Sequence, residues 1–98
     1  MTLSSKQRQF LKRLAHTLSP VVRVGRGGIS EGVIEEAKKA LEAHELIKVR
    51  IELDEGNERR DAARRLAAGS DAVVVSEVGK TAVLYRTRAE KPTIKLPV

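Results

Sequence analysis

Pro20-Val21-Val22-Arg23-Val24-Gly25-Arg26-Gly27-Gly28-Ile29-Ser30-Glu31 is the stretch on which the fold turns. Val21 to Val24 is short, β-branched and bounded by Pro20 and Gly25, which predicts a buried strand. A glycine-rich turn follows. Ser30 is then a good N-cap for a helix over about Glu31–His44. Glu31, Glu35 and Glu36 lie in its first turns, where negative charge suits the helix dipole. Val33, Ile34, Ala37, Ala40 and Leu41 supply its apolar stripe.

Upstream, the spacing predicts a helix from about Ser4 to Leu18. Ser4 is its N-cap and Gln7 completes a capping box. Phe10, Leu11, Leu14, Ala15 and Leu18 share one face, and Pro20 stops the helix. Downstream, Leu46 to Leu53 alternates between apolar Ile47, Val49, Ile51, Leu53 and polar Lys48, Arg50, Glu52, as a strand with one buried and one wet face does. Asp54-Glu55-Gly56-Asn57 is a turn ending in an N-cap, before a third helix over about Glu58–Ala68 that Gly69 closes. Ala72 to Ser76 is a third strand. Gly79-Lys80 is a two-residue hairpin turn with Gly in the first central position, and Thr81 to Thr87 is the returning strand. The tail, residues 88–98, places Ile94 and Leu96 to pack on the body.

The order α-β-α-β-α-β-β contains two strand–helix–strand units and implies parallel neighbours, with an antiparallel strand added by the hairpin. One polar strand face suggests helices on one side of the sheet only. The 98 residues thus describe a single two-layer α/β domain.

Composition removes several function classes. There is no Cys, so neither a disulfide framework nor a thiolate metal site is available. His16 and His44 sit near helix C-termini, where they suit the dipole, and no metal ligand set or cofactor motif is present. No apolar run is long enough to span a membrane, and the start lacks a secretory signal, so the expected location is the cytoplasm. No nucleophile–base–acid set is organised by motif, which argues against an enzyme and against a small-molecule substrate.

Charge is more informative. Residues 1–30 hold Lys6, Arg8, Lys12, Arg13, Arg23 and Arg26 and no acid. The other thirteen Lys and Arg are balanced by thirteen Asp and Glu in residues 31–98, so the whole net charge of +6 belongs to the first third. A one-sided positive field attracts polyanions. The turn Gly25-Arg26-Gly27-Gly28 lies inside that field. Glycines there let a ligand approach the backbone, and the N–H groups of the next helix point back toward it. Taken alone, the turn is better explained by loop geometry; the acid-free basic helix before it reverses that preference. Two nucleotide motifs fail: a dinucleotide fingerprint needs glycine where Ser30 stands, and a P-loop ending in Gly79-Lys80-Thr81 needs glycine at Val74. With Tyr85 and Phe10 the only aromatics, no multi-aromatic stacking platform is available.

Leu3-Ser4-Ser5-Lys6-Gln7-Arg8, Val24-Gly25-Arg26-Gly27-Gly28-Ile29-Ser30, Leu46-Ile47-Lys48-Val49-Arg50, Val78-Gly79-Lys80-Thr81 and Ile94-Lys95-Leu96-Pro97 together resemble the CRM domain family in its stand-alone bacterial YhbY-type form. The resemblance covers essentially the whole chain. It implies a four-stranded mixed sheet of order 1-2-4-3, similar to the C-terminal domain of translation initiation factor three. It implies RNA as partner, ribosomal RNA in precursors of the large ribosomal subunit, and hence a role in assembly. The family's GxxG loop maps onto Gly25, Arg26, Gly27 and Gly28, and its basic first helix onto Lys6, Arg8, Lys12 and Arg13. Arg23 and Lys80 are the further expected RNA contacts, and a monomer is expected. The competing reading is a protein-interaction module on the ribosome, docking through the acidic second helix with incidental RNA affinity.

Overall fold

In the computed structural model, which describes residues 1–98, the chain runs α1 (Ser5–Ala15), β1 (Pro20–Val24), α2 (Glu31–His44), β2 (Leu46–Ile51), α3 (Gly56–Gly69), β3 (Val73–Val78) and β4 (Thr81–Tyr85). The strand order is β1-β2-β4-β3. β1 and β2 are parallel, and β4 is antiparallel to both its neighbours. None of the helices is long and apolar enough to cross a membrane.

Period-two alternation divides the core. Val22 and Val24 of β1, Ile47, Val49 and Ile51 of β2, and Ala82 and Leu84 of β4 face α2 and α3 in one cluster. Val83 and Tyr85, the alternate residues of β4, join Leu11 and Ala15 of α1 and Val75 in a second cluster. α1 therefore lies on the opposite face from α2 and α3, and helices do not cover one face only. The wet face anticipated from Lys48, Arg50 and Glu52 is real, but α1 and the tail cover the part of the sheet beside it. The apolar members of β3 and β4 on that face would otherwise meet water, and burying Leu11 and Ala15 against them removes it.

Local chemistry explains where elements start and stop. Ser4 accepts from the Gln7 N–H at 3.1 Å while the Gln7 side chain accepts from the Ser4 N–H at 3.0 Å, so the capping box forms. α1 ends at Ala15, short of Leu18. The chain turns there, with the Leu18 N–H on the Ala15 carbonyl, to begin β1 at Pro20. A helix running to Leu18 would leave no room for that turn ahead of a proline, which disfavours helix in the residue before it. Leu14 and Leu18 consequently stay 41% and 36% exposed.

α3 begins at Gly56 with Glu55 as its N-cap; the Asn57 side chain accepts from Arg60 instead of capping the backbone. Gly69 is the last helical residue and not the left-handed cap. That position is Asp71, with φ of 58°, and the Ala72 N–H returns to the Ala67 carbonyl at 2.8 Å in a Schellman closure. Gly69 serves packing: a Cβ there would lie 2.9 Å from Ile34 Cδ1 of α2. At the hairpin, Val78 pairs with Thr81 across Gly79-Lys80, and Gly79 carries the positive φ of 57° that the first central position of such a turn requires.

Glu45, between α2 and β2, is fully buried, with φ of 63°. Its carboxylate accepts from the N–H groups of Arg88 (2.9 Å), Thr93 (2.7 Å) and Ile94 (3.0 Å) and from the Thr93 hydroxyl (2.6 Å). It clasps residues 88–94 to the body. Ile94 and Leu96 then pack on the second cluster, and Gln7 Nε2 donates to the Pro97 carbonyl. Burial raises the Glu45 pKa, but these hydrogen bonds to the charged form outweigh it and hold the carboxyl down to about 2.

Candidate nucleic-acid interface

The glycine-rich turn projects from the end of β1. The Gly28 N–H donates to the Gly25 carbonyl at 3.0 Å, so residues 25–28 form one tight turn. Only Gly28, with φ of 79°, needs glycine for its backbone conformation. A Cβ at Gly25 or Gly27 would meet nothing within 4 Å. Neither packing nor a left-handed φ thus explains those two glycines, and the backbone there is open to approach. Ser30 Oγ accepts from the Val33 N–H at 3.2 Å and starts α2 next to the turn. Arg26 is exposed.

Behind the turn a cationic strip crosses the sheet on the α1 side. Arg23 and Arg50 are register partners on β1 and β2, on the face opposite Val22, Val24 and Val49. Lys48 is two residues from Arg50 on that same face. Lys48 also lines a cleft of about 240 Å³ with Lys12 and Ala15 of α1, its C-cap His16, and Ser76 and Val78 of β3. The turn, the exposed sheet face and the flank of α1 are therefore neighbours in one surface. From the sequence, Lys48 and Arg50 either extend a basic surface or keep an open sheet soluble, with solubility slightly favoured, and His16 suits the dipole at a helix C-terminus. Strand alternation did place the two cations on the wet face, but only the packing of α1 shows what lies beside them.

The expected contact residues differ in how free they are. Arg23 Nη1 lies 3.4 Å and Arg50 Nε 2.7 Å from Glu52 Oε1, and Lys80 Nζ lies 3.5 Å from Asp54. The Arg50 hydrogen bond holds the Glu52 carboxyl below its usual range against a smaller opposing effect of desolvation. The charges of Arg50, Arg23 and Lys80 lower it further. Arg8 is engaged within the fold: its Nη1 donates to the Val74 and Val75 carbonyls at 2.7 and 2.8 Å, at the irregularity in β3. Lys6, Lys12, Arg13, Arg26 and Lys48 form no ion pair. Lys6 and Arg13, seven residues apart, lie on the exposed side of α1 away from Leu11, while Lys12 reaches the cleft. No group of three or more His, Asp or Glu side chains is placed to hold a metal ion.

Such a surface can hold a chain of phosphates. Its cations are spaced along a strip, its closest approach is backbone, and its aromatics are withdrawn: Tyr85 is 1% exposed and Phe10 packs against the second cluster. Comparison with known proteins identifies the family. Residues 3–86 match the CRS1 / YhbY (CRM) domain. The chain is 40% identical over 95 residues to "Probable RNA-binding protein YqeI" of Bacillus subtilis, covering 97% of this chain and 99% of that one. It is 43% identical over 96 residues to an "RNA-binding protein" of Haemophilus influenzae, covering 98% and 96%. The solution structure of SAV1595 from Staphylococcus aureus, described as "a putative RNA binding protein", superposes with a TM-score of 0.86 at 33% identity, covering 98% of this chain and all of that one. The protein therefore belongs to the CRS1 / YhbY (CRM) domain family, with that family's three helices and mixed sheet of order 1-2-4-3.

Proposed function

We propose that this protein binds RNA through the Gly25–Gly28 turn and the strip formed by Arg23, Arg50, Lys48 and Lys12, with Lys6, Arg13 and Lys80 at its margins. Its RNA is ribosomal, in precursors of the large subunit, and the protein acts there in the cytoplasm as a monomeric assembly factor that catalyses no reaction. The observation that carries the reading is the placing of Lys12, Arg26 and Lys48, which form no ion pair, beside a turn whose Gly25 and Gly27 need glycine neither for space nor for a positive φ. Phosphate contacts supply most of the affinity, and with Tyr85 buried and Phe10 packed against the core, backbone and shape count for more than base identity. The large-subunit target rests on the family resemblance of the sequence motifs.

Crosslinking the protein to RNA in cells and sequencing the attached fragments tests the target. Large-subunit ribosomal RNA and its precursors should dominate; a spread over unrelated transcripts would refute the assembly role. In vitro, Arg26→Ala should lower the slope of log K against log salt by about one counterion unit, and an unchanged slope removes Arg26 from the interface. Association with precursor particles that survives ribonuclease would favour docking through the acidic α2 instead.

A further inference from the structure

A shallow groove of about 430 Å³ opens on the other flank of α1, at its C-terminal end. Of the six exposed large hydrophobic side chains in the protein, three line this groove: Leu14, Leu18 and Val21, the last 51% exposed. Leu46 of β2 and Ile94 of the tail complete its apolar walls, and Ile47, whose side chain packs in the first cluster, borders it. Its polar members are Ser19, His44 and Lys48, and no carboxylate lines it. Lys48 belongs both to this groove and to the cleft that holds Lys12, so the groove continues the cationic strip around the end of α1.

Size and charge select the occupant. A stable protein interface takes about 20–30 residues a side, far more than one helix end and a few strand residues provide. The one charged side chain on its rim, Lys48, is a cation and no acid lines it, which suits an anionic ligand. Single-stranded RNA presents unstacked bases that need an apolar surface, ordinarily aromatic. Here Tyr85 is buried and Phe10 is packed against the second cluster, and Leu14, Leu18 and Val21 are the exposed apolar side chains gathered in one groove next to the strip. We infer that this groove receives one unstacked nucleobase of the bound RNA. The aliphatic walls contact the base, Ser19 and His44 face its polar edge, and the Lys48 ammonium meets the flanking phosphate. This rests on the RNA-binding reading and adds to it a base-accepting subsite away from the glycine turn.

The test uses a short oligouridylate carrying 4-thiouridine, photocrosslinked to the whole protein and digested with trypsin. Cleavage after Arg13 and Arg23 releases Leu14–Arg23, which holds all three apolar side chains, apart from the turn peptides within Val24–Lys38. Fragmentation of that peptide should place crosslinks within Leu14–Val21 and not only at Arg23, which belongs to the strip. A Leu18→Ser, Val21→Ser double variant, both positions being exposed, should fold and bind about five- to tenfold more weakly with an unchanged salt slope, because no cation is lost. Crosslinks confined to other peptides, or wild-type affinity in the folded double variant, would overturn the subsite, as would a groove that serves a protein partner and leaves RNA affinity untouched. If Arg26→Ala still lowers the salt slope in that case, the RNA reading stands without the subsite. If the oligouridylate fails to bind at all, both fall.

Discussion

Gly27 and Gly28 are adjacent, yet different constraints hold them. Gly28 has a φ of 79°, where a side chain meets its own backbone, so Gly28→Ala should destabilise the fold by about 1–2 kcal/mol. Gly27 has an ordinary φ and open space around it. Gly27→Asp should therefore melt within a degree or two of the parent while losing at least about tenfold in RNA affinity, since it sets bulk and a negative charge at the closest approach of phosphate. Thermal melts read beside RNA titrations separate the two roles, and full affinity in a folded Gly27→Asp protein would remove the turn from the interface. The composition Gly-Arg-Gly-Gly was visible in the sequence. Which glycine served the backbone was not, because that depends on dihedral angles set by how β1 and α2 are joined.

Within α1, helical spacing assigns neighbouring cations to different tasks. Arg8 lies on the same stripe as Leu11 and Ala15 and is directed at the sheet, where it binds two carbonyls of β3. Lys12 lies at the edge of that stripe and reaches the cleft. Arg8→Ala should lower stability by about 1–2 kcal/mol, the scale of charged hydrogen bonds to half-buried acceptors, and leave the salt slope of RNA binding unchanged. Lys12→Ala should do the reverse, leaving the melt alone and reducing the slope by about one unit. If Arg8→Ala alters the slope and not the melt, this division is wrong. The sequence showed a basic helix, but a cation at the border of an apolar stripe can face water or a stranded carbonyl. The irregularity in β3 that supplies those carbonyls is a tertiary feature.

Across the whole molecule, Glu45 joins the tail to the sheet and α2, so the clasp should respond to pH. The Glu45 carboxyl falls from an ordinary value of 4.5 to about 2 in the folded protein. Its stabilisation is fully present above about pH 4.5 and is lost as pH falls toward 2. Amide exchange at Arg88, Thr93 and Ile94 should accelerate over that window, and Glu45→Gln should show fast exchange there at neutral pH; equal protection in the variant would discount the clasp. The element order, the span of α2 and its Ser30 cap, the hairpin at Gly79-Lys80 and the concentration of positive charge in the first third are legible in the chain alone, because periodicity, capping and charge are local properties. Packing in three dimensions was needed to learn that α1 crosses the face opposite α2 and α3, that Glu45 is a buried clasp, and that Lys48 and Arg50 lie beside Lys12 and the glycine turn. Each of these depends on which residues meet across long stretches of chain, and an amphipathic helix carries no mark of the sheet face that will bury it.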